Sequence, residues 1–169
     1  MNFPKSTLAV TALFALACTG AYASGSGEVT KEGKTTKLTN AYAYRRADHF
    51  DDKKMLTVVV FSTKPADTVK VNAAGDAIRE LTSQLSQQDA TYVEMEIAAD
   101  GSVEQLGVHS PELSESGSTG EKPTLTHNDD KRIEGTFLSK NEKDKASKFG
   151  AYYDLKFALD IPATTPAKH

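Results

Sequence analysis

The chain has 169 residues and a mass of 18.2 kDa, the size of one domain, with 20 Lys and Arg set against 23 Asp and Glu. A formal net charge of −3 lacks the basic excess that phosphate neutralisation requires, which argues against nucleic acid as a partner. A single cysteine excludes a disulfide or zinc-cluster scaffold, and a hydrophobic content of 38% is too high for a disordered chain, so a packed apolar core must hold the domain.

Residues 1–23 read as a signal peptide. Lys5 supplies the positive start, residues 8–17 form an uncharged apolar run too short to span a bilayer, and Ala21-Tyr22-Ala23 places small residues where signal peptidase reads them. Cleavage after Ala23 leaves 146 residues and removes Lys5 and Cys18, so the mature charge is −4. Export to the periplasm or the extracellular space follows. An alternative is a lipid anchor: Ala15-Leu16-Ala17-Cys18 resembles a lipoprotein box, although Ala15 stands where a branched aliphatic residue is preferred. No later apolar run is long enough for a transmembrane helix.

Beyond a flexible Ser24-Gly25-Ser26-Gly27, the mature chain alternates with period two and predicts about eight antiparallel strands. The first two are 27–31 and 36–45, joined through Glu32-Gly33. In the second, Leu38, Asn40, Tyr42 and Tyr44 oppose Ala41 and Ala43; the tyrosines are an exposed stripe if the alanines point inward, and core residues otherwise. The third, 55–62, is continuously apolar at Val58-Val59-Val60-Phe61, as expected of a strand covered on both faces. Its cover is predicted next: Ala74, Ala77, Ile78, Leu81 and Leu85 recur at helical spacing over 73–88, with Asn72 placed to cap. Strands 91–99 and 102–109 form a hairpin through Asp100-Gly101. In the first of these, Val93, Met95 and Ile97 claim the core and put Glu94 and Glu96 on a solvated face.

A Ser/Gly/Glu/Pro loop over 110–123 precedes strands 124–127, 132–139 and 151–161, and 162–169 is a disordered tail. The single domain is therefore 24–161. Its class is α+β and mostly β: a curved up-and-down sheet, barrel or sandwich with one amphipathic helix packed outside.

Patterns that would mark an enzyme are missing from this sequence. Ser116-Gly117-Ser118 lacks the spacing of a nucleophile elbow, and no phosphate loop, dinucleotide glycine pattern or His-Glu-x-x-His occurs. The expectation is a non-catalytic binding domain for a protein or small-molecule partner. The alternative is a divalent-metal protein. In an up-and-down sheet the links after strands two, four and six share one end, which gathers His49, Asp51 and Asp52 with His127, Asp129 and Asp130, a donor mixture that zinc accepts. Lysines 53, 54 and 131 and Arg132 oppose a cation there, and Asp and Asn also form turns. His109, at a strand end on the opposite rim, reads as a surface residue, and the lysine-rich 140–148 as a solvated hairpin tip.

Overall fold

A computed structural model describes residues 24–48, 50–139 and 150–163. Residues 1–23, read above as a signal peptide, His49, the whole lysine-rich segment 140–148 and residues 164–169 lie outside the described residues. Among the described residues there are ten strands and two short helices: β1 Ser24–Lys31, β2 Lys34–Leu38, β3 Asn40–Ala47, β4 Met55–Ser62, α1 Thr68–Ala73, α2 Ala77–Gln87, β5 Tyr92–Ile97, β6 Val103–Ser110, β7 Leu113–Gly117, β8 Thr124–Asn128, β9 Arg132–Leu138 and β10 Ala151–Asp160.

The strands build two antiparallel five-stranded sheets. One, the meander sheet, has order β3-β4-β5-β6-β7; the other, the terminal sheet, has order β2-β1-β10-β9-β8 and pairs the first strand with the last. Neighbours in sequence remain neighbours in space, as in an up-and-down sheet, except at β2/β3 and β7/β8, where the chain changes sheet. These two breaks open what would otherwise be a ring of ten strands, so the fold is a sandwich and not a closed barrel.

The expectation of eight strands is corrected to ten for two local reasons. The run 36–45 is cut at Thr39, whose N–H donates to Ser62 O (3.0 Å) while the strand on either side pairs in a different sheet. Within the polar run 110–123, β7 pairs with β6 from Leu113 to Gly117; its Ser and Glu residues belong to an edge strand with little to bury.

Ser24 to Gly27 is the start of β1, paired with β10 from Ser24 and with β2 only from Gly27, instead of a flexible link. Gly25 and Gly27 serve close approach: a Cβ on Gly25 would stand 2.5 Å from Ala41 Cβ, and one on Gly27 2.6 Å from Leu155 Cδ2. At Gly25 the absence of a side chain lets β1 pack on β3 where the two sheets meet, and at Gly27 it makes room for Leu155 of the paired strand β10.

Two apolar layers hold the molecule. Between the sheets lie Val59, Phe61, Val93, Met95, Leu106, Val108, Ile133, Phe137, Leu155 and Phe157, with Phe61 and Phe157 edge to face at 6.0 Å. On the far side of the meander sheet, Val58 and Val60 join Tyr44, Tyr92, Val71, Ile78, Leu81 and Leu85 beneath the helices. Strand β4 is thus covered on both faces, as its unbroken apolar run requires.

The helix predicted over 73–88 is α2, which begins only at Ala77, and α1, over Thr68–Ala73, is a second helix that the sequence reading did not include. Ala74 adopts an extended conformation (ψ 146°), and a new helix starts after Asp76, whose carboxylate accepts from Arg79 N at 3.0 Å and is the cap in place of Asn72. Asn72 instead accepts a hydrogen bond from the Tyr44 hydroxyl, at 3.0 Å. The tyrosine alternatives resolve to a third arrangement. Ala41 and Ala43 face the inter-sheet core, and Tyr42 and Tyr44 point outward yet lie under the helical cover, where Tyr42 Oη accepts from Ala66 N at 2.7 Å.

Leu81 is fully buried at the centre of this cover. Leu81→Asp places a charge against Val58 and Val60 or expels α2, and is expected to cost about 3 kcal/mol. Urea unfolding checks this; an unchanged midpoint would mean that the helices do not pack on the sheet.

Candidate functional site

The end of the sandwich that collects the β3–β4, β5–β6 and β8–β9 turns is the end that the up-and-down reading selected. Asn128 Nδ2 donates to Ala98 O (3.2 Å), tying the β8–β9 turn to the β5–β6 hairpin, and Lys54 from the β3–β4 link reaches Glu104 on β6 at 2.8 Å.

Each predicted metal ligand has a definite place there. Asp51 is exposed and accepts from Lys53 N at 3.1 Å in an Asx-turn, and Asp52 is exposed beside it. His127 Nε2 and Asp129 Oδ2 are 2.7 Å apart. Asp129 Oδ1 accepts from the N–H groups of Lys131 (2.8 Å) and Arg132 (2.9 Å), and these bonds with the His127 contact bring its carboxyl down to about 2. Asp130 is exposed on the same turn.

A concavity of about 320 Å³ beside these turns is lined by Asp100, Lys122 and His127 among others; Asp51, Asp52, Asp129 and Asp130 do not line it. The structure therefore joins His127 to Asp129 but not to the first acidic pair, and His49 lies outside the described residues. Among the described residues no group of three or more His, Cys, Asp or Glu side chains is arranged to hold a metal.

Sequence reasoning misplaced Glu94 and Glu96. They do face away from the inter-sheet core, but that face is half covered, and Glu96 is only 4% exposed. Arg46, on β3, lies over the pair, with Nη2 2.5 Å from Glu96 Oε1 and Nη1 4.0 Å from Glu94 Oε1. Burial pushes the Glu94 carboxyl above its ordinary value, and the Glu96 charge adds to this against the opposing pull of Arg46. The missed signal is Arg46 itself: it shares an alternation parity with Tyr42 and Tyr44, so the face that carries the tyrosines also delivers a guanidinium to the glutamates.

His109, opposite Tyr92 on the same face, is half-buried and stacks on the Tyr92 ring at a centroid distance of 4.6 Å. Its Nδ1 is 2.8 Å from Ser114 Oγ, and its Nε2 lies over Gly107, 2.7 Å from where a Cβ would be. Burial holds the imidazole below its ordinary value. The cluster accounts for itself by packing and pairing.

The outer face of the terminal sheet is different. Among the described residues no helix covers it, and it carries two adjoining concavities of about 450 and about 300 Å³ that share Ser26 and Lys156. The larger extends over Ser24, Thr124, Glu134 and Thr136, and the smaller over Glu28, Lys37 and Asp154. Among the described residues no helix is long and apolar enough to cross a membrane. No family model matches the chain, and neither a curated protein nor a solved structure matches it.

Arg46→Met leaves a carboxylate buried without its guanidinium and is expected to cost about 3–5 kcal/mol at neutral pH. Because a raised carboxyl gains stability by protonation as pH falls, the loss should shrink when denaturation is repeated near pH 5. A loss that is constant with pH would contradict this electrostatic account.

Proposed function

We propose that the protein is an exported, non-catalytic binding domain whose binding surface is the outer face of the terminal sheet. The observation that carries this reading is the asymmetry between the two sheets. The meander sheet spends one face on the inter-sheet core and much of the other on the helices; the terminal sheet spends one face on the core and carries on the other a hollow that no described helix covers. A rigid sheet with its backbone groups already paired is a suitable platform, because little order is lost when a ligand settles on it. Export supports the reading from the sequence side, since Ser24, the first residue after the expected cleavage, starts the strand that forms part of this face.

A second reading, a divalent-metal protein that uses the turn end, is favoured by the His127–Asp129 contact. That pair would need His49 or an exposed acid to complete a ligand set.

Protein recovered from the periplasm should have the mass of a chain beginning at Ser24. Hydrogen exchange in concentrated periplasmic extract, compared with buffer, should slow in β1, β9 and β10 while the rates in α1 and α2 stay the same. Protection confined to the helices or to the turn end would overturn the proposed surface.

A further inference from the structure

We propose that β7 is a gate at one mouth of the inter-sheet core, latched to the terminal sheet by the Lys31–Glu115 ion pair and able to leave β6 while the other strands stay paired. The sequence makes β7 weak in its own right. It reads Leu113-Ser114-Glu115-Ser116-Gly117, an edge strand that pairs only with β6, and none of its five residues is buried. Register sets Glu115 opposite Val108 and Gly117 opposite Leu106, on the core side of the sheet. A carboxylate and a bare backbone therefore stand where the neighbouring strand carries apolar side chains. On the opposite side Ser114 Oγ lies 2.8 Å from His109 Nδ1, a contact to β6 alone.

Hydrophobic burial does little to hold such a strand, and a charge supplies the fastening. Lys31 ends β1 on the same face as the buried Val29, and its Nζ donates to Glu115 Oε2 at 2.6 Å between residues 84 apart in the chain. Among the described residues this is the one ion pair that joins the two sheets. Its side chains are 22% and 38% exposed, so water is partly excluded and the attraction exceeds that of an open surface pair.

Beside the latch, the closed state carries a cost. Tyr153 lies opposite Val29 on β10 and is almost wholly buried, and its hydroxyl has no hydrogen-bond partner among the described residues. Burial pushes this hydroxyl above its ordinary value, and the charges of Glu121 and Glu115 add to the shift, so it stays a protonated donor close to both carboxylates. A buried donor without an acceptor is relieved when water reaches it. Withdrawal of β7 admits that water and uncovers the β6 edge at Leu106 and Val108. The Tyr153 hydroxyl thus favours opening and the ion pair opposes it. Polar links over 111–112 and 118–123 give β7 the slack to move without drawing β6 or β8 with it.

Amide hydrogen exchange of the mature chain, read strand by strand under native conditions, tests this. Glu115→Gln should speed exchange of the β7 amides bonded to β6 by about tenfold or more and leave β4 and β10 unchanged. The reversed pair, Lys31→Glu with Glu115→Lys, should return β7 to within about threefold of the parent, and Tyr153→Phe, which removes the unsatisfied donor, should slow β7 by about threefold. An unchanged β7 rate in Glu115→Gln would remove the latch. Equal acceleration of β4 and β10 would mean that the pair supports the whole sandwich and that β7 has no motion of its own. A reversed pair that exchanges as fast as Glu115→Gln, or a Tyr153→Phe variant in which β7 is no slower than in the parent, would likewise overturn the gate.

Discussion

Strand β4 has to be buried twice. Leu56 to Phe61 is apolar or close to it at every position and is fully sequestered, with Val59 and Phe61 facing one way and Val58 and Val60 the other. Fully burying a Val or Phe side chain is worth about 1.5–3 kcal/mol relative to leaving it in water, so neither face of this strand can remain open. The terminal sheet closes one face and the α1/α2 segment the other. Their polar fastenings, Tyr42 to Ala66 and Tyr44 to Asn72, fix where the helices lie. Once those two covers are in place, the terminal sheet's outer side is the sheet face left without one among the described residues.

The terminal sheet is joined late in the chain order. β1 sits between β2 and β10, and Ser24 to Lys31 pairs residue by residue with Ala151 to Ala158, so the sheet is complete only when nearly the whole domain is present. Such long-range pairing carries a loop-closure cost that local hairpins avoid, and it couples the two ends of the domain in one cooperative unit. Gly25 and Gly27 are part of the same constraint, because the first strand has to approach Ala41 and Leu155 more closely than any side chain would permit.

Much of this was legible in the sequence. The period-two runs located the strands that bury a face, and the helical spacing of Ile78, Leu81 and Leu85 located the cover for β4. Where the reading failed, local pattern did not carry the deciding information. β7 buries too little to show a hydrophobic period, and Gly25 and Gly27 looked like a linker because their role depends on partners more than ten residues away. The start of α2 was read four residues early because Ala74 keeps helical spacing with Ala77 and Ile78, and α1 was missed because it buries only Val71. Glu94 and Glu96 alternate with core residues in the manner of a solvated face; only the presence of Arg46 and of the helices over the same side buries them. The turn-end residues were gathered as chain order implied, but sharing an end of a sandwich does not bring side chains to ligand distance, and Asp51 and Asp52 remain apart from the hollow lined by His127. The two concavities on the outer face of the terminal sheet were not legible at all, since they depend on the register between its strands.

The most direct test of the two-cover arrangement is solvent paramagnetic relaxation of assigned methyl groups. The methyls of Val58 and Val60 should be as protected from a soluble gadolinium probe as those of Val59, while those of Thr124, Thr126 and Thr136 should relax rapidly. Val58 and Val60 relaxing at the threonine rate, or the three threonines protected in the free protein, would contradict the arrangement on which the binding face depends.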